Sequence, residues 1–345
     1  MRYAPVLVVD DPRFEDHVSL KPHPECPERL SAARDGFFSG LGSMPYEKLE
    51  LRCAPSHMRD NKMLSSVHEQ GYLTELDSAL ARGEGTLDGD TFFSPGTREA
   101  AWSAAWGSYA LGLRLQESES DLGVALVRPP GHHALPDRSM GFCLFNNAAM
   151  AVRGAQDGGA QKVAVVDWDV HHGNGTQTVF ERDPNVLVLS IHQRELWPFT
   201  GAASEVGLGE GRGATINLAL SPGSDSADYA EAWRSIVLPK LEAFGASCLI
   251  VSAGFDAHQR DPLGAMQLDA PAYASMAGAL VDAMRTQRGS VCFLLEGGYD
   301  LRALEESMCA LGRTLHGERI ALDEGFPRES TRQSIVELDQ QLSPS

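Results

Sequence analysis

The stretch Val163-Ala164-Val165-Val166-Asp167-Trp168-Asp169-Val170-His171-His172-Gly173-Asn174 passes without a break from a valine-rich apolar run into acids and imidazoles. So short a β-branched run predicts a strand covered on both faces, as in a parallel sheet packed between helices. Similar runs at 124–127, 186–191, 215–220, 248–252 and 291–295 alternate with helix-like segments such as 98–115, 147–155, 227–244 and 270–285. That alternation predicts an α/β fold with three layers, α/β/α, around a mostly parallel central sheet. In open sheets of this kind ligands bind at the carboxyl ends of the strands. Most of these runs end in residues able to bind a metal or move a proton, so the same segments that specify the fold also point to the site.

With 345 residues and 43% hydrophobic content, the chain can bury a large core. No repeat or Pro/Ser-rich linker divides it, which predicts a single domain over residues 1–345. Lys and Arg number 29 against 47 Asp and Glu, a net charge of −18, which speaks against nucleic acid as a partner. The acidity fits either a well-charged surface or an acidic rim that draws cationic substrates. Six cysteines are scattered without a C-x-x-C pair, as expected of free thiols in a reducing compartment. The apolar run at 6–9 is too short for a signal segment or a membrane span. The expectation is therefore a cytoplasmic protein that does not engage a membrane. Gly207-Leu208-Gly209-Glu210-Gly211-Arg212-Gly213 precedes a strand, whereas a dinucleotide loop follows one, so it reads as a flexible loop.

Asp167, Asp169 and His171 alternate just past a strand. In extended backbone their side chains would share a face and converge. Two carboxylates and an imidazole suit a divalent transition metal with positions left open for water and substrate; the alternative is a hydrogen-bonded polar strand end. Asp256, in Gly254-Phe255-Asp256-Ala257-His258, is either a further ligand or a helix cap. Arg128-Pro129-Pro130-Gly131-His132-His133 sets two imidazoles at a rigid turn, as acid/base groups or as part of a surface loop. In Glu296-Gly297-Gly298-Tyr299-Asp300 the glycine pair can free the backbone to aim a phenol inward, although tyrosines also simply pack.

Taken in order, these motifs resemble the zinc-dependent histone deacetylase family of the arginase/deacetylase superfamily, in a class II-like, bacterial-type form. His23-Pro24-Glu25-Cys26-Pro27-Glu28-Arg29-Leu30, Gly141-Phe142-Cys143-Leu144-Phe145-Asn146-Asn147 and Ser190-Ile191-His192 extend the likeness over most of the chain. The resemblance implies an arginase/deacetylase fold in which Asp169, His171 and Asp256 hold Zn²⁺. His133 would act as acid and base, oriented by the class II-type Asn174. His132, paired with Asp167, would support developing charge, and Tyr299 would donate to the oxyanion. Gly141, Phe142 and Leu263 would line a narrow acyl tunnel, with Phe199 or Trp197 on its far wall and Asp90 or Asp88 holding substrate at its mouth. A potassium ion is implied beside Asp167, Asp169, His171, Ser190 and Ile191.

The implied reaction is removal of acetyl or other acyl groups from the ε-amine of lysine in a peptide or protein. Acetylpolyamines and other small acylated amines are the alternative, which Leu263 disfavours because relatives acting on polyamines carry an acidic gatekeeper. A catalytically silent acyl-lysine binding module is the alternative of another class. An arginase-like ureohydrolase would need a two-metal ligand order that is not seen here. Iron in place of zinc, the acyl-chain preference and assembly into a homo-oligomer stay open.

Overall fold

The computed structural model describes residues 4–55, 57–58 and 61–342. Its strands are β1 (Val6–Val9), β2 (Tyr46–Lys48), β3 (Gly85–Thr86), β4 (Phe92–Phe93), β5 (Leu122–Ala125), β6 (Val163–Asp167), β7 (Val186–Gln193), β8 (Thr215–Leu220), β9 (Cys248–Ala253) and β10 (Ser290–Leu295). Eight of them form one sheet in the order β2-β1-β5-β10-β9-β6-β7-β8, with every neighbouring pair parallel. The expected mostly parallel sheet is thus wholly parallel, and antiparallel pairing is confined to the separate β3/β4 hairpin. Every residue of β1, β5, β6, β7, β9 and β10 is buried, which is why these strands read as unbroken apolar runs. Strand β2 is exposed throughout, so its Tyr-Glu-Lys sequence carries no apolar signal. The run at 124–127 begins its ladder two residues early and leaves it after Ala125, while Leu126 and Val127 stay buried on the way to Arg128.

The helices flanking the sheet are α1 (Glu28–Leu41), α2 (Gln70–Leu80), α3 (Thr97–Glu117), α4 (Asn147–Asp157), α5 (Asn174–Phe180), α6 (Ser226–Ala232), α7 (Leu238–Phe244), α8 (Ala270–Thr286), α9 (Leu301–Leu315) and α10 (Glu329–Leu342). The predicted helix at 227–244 is two helices joined by a wider π turn over Trp233–Val237. Pro239, in the first turn of α7, has no N–H to donate to the preceding turn. Helix α10 covers the β8 edge, where Ser334 Oγ donates to the carbonyl of Ala219 at 3.0 Å. Among the described residues no helix is long and apolar enough to cross a membrane.

One helix pair matters most for the site. Helix α1 presents Arg29 near its start, and α9 begins two residues after Tyr299. The two backbones touch through glycine: a Cβ at Gly36 would lie 2.2 Å from the carbonyl oxygen of Glu305, and one at Gly40 2.0 Å from that of Cys309. A methyl group there forces the helices apart. Gly40→Ala should therefore lower the unfolding free energy by about 1–3 kcal/mol, the usual range for overpacking, with an unchanged denaturant m-value in urea titrations.

Candidate functional site

The four central strands β5, β10, β9 and β6 are neighbours in the sheet, so the loops at their carboxyl ends meet over one edge. These loops carry His132 and His133, Gly297 to Tyr299, Asp256, and Asp167 to Asn174. Extended backbone ends at Asp167, however, so the expected convergence of Asp167, Asp169 and His171 does not occur. Asp167 turns instead to His132, with Oδ2 2.9 Å from Nδ1. Asp169 and His171 meet Asp256, and among the described residues these three are the group whose ligand atoms all lie within 4.8 Å of one another.

His171 Nδ1 stands 3.1 Å from Asp169 Oδ1 and 3.2 Å from Asp256 Oδ2. The backbone N–H groups of His171 and Gly297 donate to Asp169, and that of Val170 donates to Asp256 Oδ1. Asp256 Oδ2 is buried, and its one close polar contact is the ion pair with His171. Burial drives the carboxyl of Asp256 up to about 7, and the charge of Asp169 adds to the effect. Burial also opposes charge on His171, but its bonds to Asp169 and Asp256 outweigh it and push the imidazole up to about 10. Buried carboxylates this close need a positive partner, and a borderline divalent cation fits two oxygens and one nitrogen with an unfilled lone pair.

Beside this centre the imidazoles of His132 and His133 lie 3.9 Å apart between ring centres. Their partners differ: Asp167 for His132, and the Asn174 amide oxygen for His133, 2.8 Å from Nδ1. Against the cost of burial, Asp167 and Asp169 raise His132 well above its ordinary range. Burial, with positive charge on His132 and His171, holds His133 well below it. Helix α5 fixes Asn174 at its start, and its Gly175 and Thr176 N–H groups donate to the carbonyl of His132.

A cavity of about 260 Å³ opens above these groups and is lined by Gly141, Phe142, Leu263, Asp90, Trp197 and Tyr299 among others. Gly141 adopts a φ of +57°, and a Cβ there would approach the Trp197 ring at 2.5 Å and that of His133 at 2.6 Å. Phe199 is 76% exposed and borders a separate pocket, whereas Trp197 lines this cavity and meets His133 edge-on at 4.7 Å. Asp88 Oδ1 accepts from the N–H groups of Asp90 and Thr91, and the Asp90 carboxyl, pushed up by burial and by the neighbouring Asp88, borders the cavity. Ser190 runs beside Asp167 in the sheet, Ile191 follows it, and Ser190 Oγ is engaged with His192 Nδ1 at 2.9 Å.

Several residues whose part no local motif announces hold this site in place. Glu25 and Arg29, from the early motif, form a buried ion cluster with Arg128. Arg29 donates to the carbonyls of Gly298 and Glu296 and lies 4.8 Å over the Tyr299 ring. Glu296 Oε2 accepts from the Gly131 and His132 N–H groups. The spacing of Glu25 and Arg29, one helical turn apart, was the available signal, but nothing local says that charged residues will be buried.

Because His171 keeps a proton when no metal is present, cation binding must expel it. Titrating Zn²⁺ into metal-free protein near neutral pH should give an enthalpy that depends on the buffer's ionisation enthalpy. The apparent affinity should climb between about pH 6 and about pH 8, as protons compete less. Proton-neutral, pH-independent binding would remove His171 from the ligand set.

A family model described as the histone deacetylase domain matches residues 23–315. Histone deacetylase 15 of Arabidopsis thaliana is 39% identical over 315 residues, 88% of this chain, and this chain spans only about half of it, 54%. A histone deacetylase-like amidohydrolase of Pseudomonas aeruginosa is 38% identical over 87% of this chain and 77% of its own length. The crystal structure of the HDA15 HD domain superposes with a TM-score of 0.90 at 34% identity, covering 98% of this chain and 94% of that one. With the ordered motifs, the parallel sheet and the Asp169–His171–Asp256 cluster on the same edge, these matches place the chain in the histone deacetylase family.

Proposed function

We propose that this protein is a zinc-dependent amidohydrolase that removes an acetyl group from the ε-amine of lysine in a peptide or protein. The observation that carries the proposal is the meeting of a three-ligand cluster, two unequal imidazoles and a phenol at the foot of a cavity walled by Phe142, Trp197 and Leu263. Zn²⁺ bound by Asp169, His171 and Asp256 would polarise the amide carbonyl and make water a better nucleophile. His133, neutral and with Nδ1 committed to Asn174, has Nε2 free to take the proton of the attacking water. That proton then passes to the leaving amine as the C–N bond breaks. His132, paired with Asp167, supplies a fixed positive charge beside the developing negative charge. Burial keeps the Tyr299 phenol well above its ordinary range and hence protonated, as an oxyanion donor must be. The apolar walls favour a neutral acyl-lysine stem over a charged one. Asp90 at the mouth is suited to accept N–H groups of the substrate backbone.

Potassium belongs to the same proposal, with backbone oxygens of Asp167, Asp169 and His171 together with Ser190 and Ile191 as its ligands. The sheet register that sets Ser190 beside Asp167 supports it. Free cysteines, three of them buried, suit a reducing compartment such as the cytoplasm. The full complement of ligands, imidazoles and phenol speaks against a silent binding module.

Amine release from an acetyl-lysine peptide and from N-acetylputrescine, assayed in parallel with the zinc-loaded protein, tests the proposal. Peptide turnover should dominate, and Tyr299→Phe should lower it by about 10²–10³, the usual effect of losing one oxyanion donor. Turnover of the acetylated amine alone would shift the substrate to polyamines; no turnover of either would return weight to a binding module. Asn174→Asp places a carboxylate on His133 Nδ1 and favours the imidazolium. Since the base must be neutral, the acid limb of the kcat/KM profile should move to higher pH by about one unit.

A further inference from the structure

Asp261 touches neither the ligand cluster nor the two imidazoles, yet its carboxylate is only 7% exposed and faces three backbone N–H groups. Oδ1 accepts from Leu263 N at 2.9 Å, reaching across Pro262, which has no N–H to offer. Oδ2 accepts from Tyr299 N at 2.6 Å and from Asp300 N at 3.4 Å. One side chain therefore holds the backbone of Leu263, at the apolar wall, and the backbone of Tyr299, at the foot of the cavity. The attachment continues outward: Asp300 caps α9 by accepting from Ala303 N at 2.7 Å, and Arg260 lies 3.5 Å from the Asp300 carboxylate. The backbone N–H groups on both sides of the carboxylate are donors, so both oxygens must accept. An amide has only one acceptor oxygen and would turn its NH₂ toward a second donor.

We propose that Asp261 is a positioning residue that sets the Tyr299 phenol and the Leu263 wall from one anchor, so that turnover and acyl-chain selectivity depend on the same carboxylate. This rests on the deacetylase reading above. Oxyanion donors act only at the correct distance, and a displacement of about 1 Å can cost about 10²-fold in rate. Asp261 makes no hydrogen bond to the ligand cluster or the two imidazoles; apart from its charge acting on Asp256, it reaches the reacting groups through these two residues. Its removal should therefore change kcat and the preference between acyl chains, rather than metal binding.

The test uses the zinc-loaded full chain with acetyl-lysine and butyryl-lysine peptides, N-acetylputrescine, and the variants Asp261→Asn, Tyr299→Phe, Leu263→Ala and their pairings. Asp261→Asn should bind zinc as the parent does, lower kcat by about 10- to 100-fold with a smaller change in KM, and alter the acetyl-to-butyryl ratio. In a Tyr299→Phe background it should lower kcat no further, and in a Leu263→Ala background it should leave the acyl ratio unmoved. Additive losses in both backgrounds, or a parent-like kcat and acyl ratio in Asp261→Asn, would overturn the proposal. If Asp261→Asn fails to fold, Asp261→Glu keeps two acceptor oxygens on a longer stem and must show the same non-additivity. Absence of any effect of Tyr299→Phe on a substrate that is turned over would count against the deacetylase reading instead.

Discussion

Two buried carboxylates, Asp169 and Asp256, share one imidazole, and much of the site exists to make that arrangement tolerable. Neither acid reaches water, so each must be met by donors or by positive charge. The backbone supplies part of this, through the N–H groups of Val170, His171 and Gly297. What it leaves over is an oxygen of Asp256 met only by His171, and an imidazole driven to hold a proton. A divalent cation bound there would answer both deficits at once. The glycine-bearing loop that follows β10 is drawn in by the same charge, since Gly297 donates to Asp169.

A second buried charge cluster works differently because it is closed on itself. Glu25 accepts from Arg128 at 2.5 and 2.8 Å and from Arg29 at 3.3 Å, and the remaining guanidinium donors go to carbonyls of Phe14, His17, Glu296 and Gly298. Breaking such a cluster by removing one member typically costs about 3–5 kcal/mol, because a buried charge is left uncompensated. Its position links the start of α1 to the turns that carry His132 and Tyr299. The close glycine contact between α1 and α9 sets the distance across which that linkage acts.

The chemical asymmetry of the site comes from partners rather than from residue type. His132 and His133 are adjacent in sequence and their rings lie close in space at a tilt of 42°, yet a carboxylate faces one and an amide the other. The carboxylate keeps His132 charged; that charge, with burial, keeps His133 neutral. Two identical side chains are thereby given different protonation states at one pH, the condition for separate electrostatic and proton-transfer roles.

Much of this was readable before any coordinates. Valine-rich runs such as 163–166 report burial on both faces, and burial on both faces in alternation with helices allows few architectures other than a covered parallel sheet. The types of group at the ends of those runs, acids, imidazoles and a phenol, fix the class of chemistry. Local pattern did not reveal where extended backbone stops, so Asp167 was grouped with Asp169 and His171 although it serves His132. Nor did it show that Trp197 rather than Phe199, and Asp90 rather than Asp88, line the cavity, or that Asp261 reaches Tyr299. Those outcomes depend on β5, β6, β9 and β10 becoming neighbours although their sequence positions span residues 122 to 295. Sequence by itself determined which apolar runs are buried and which residue types can react, because both follow from side-chain chemistry and local period. The pairing of a given oxygen with a given nitrogen was decided only by the tertiary structure, because hydrogen bonds and ion pairs act over a few ångströms between segments that chain order leaves far apart.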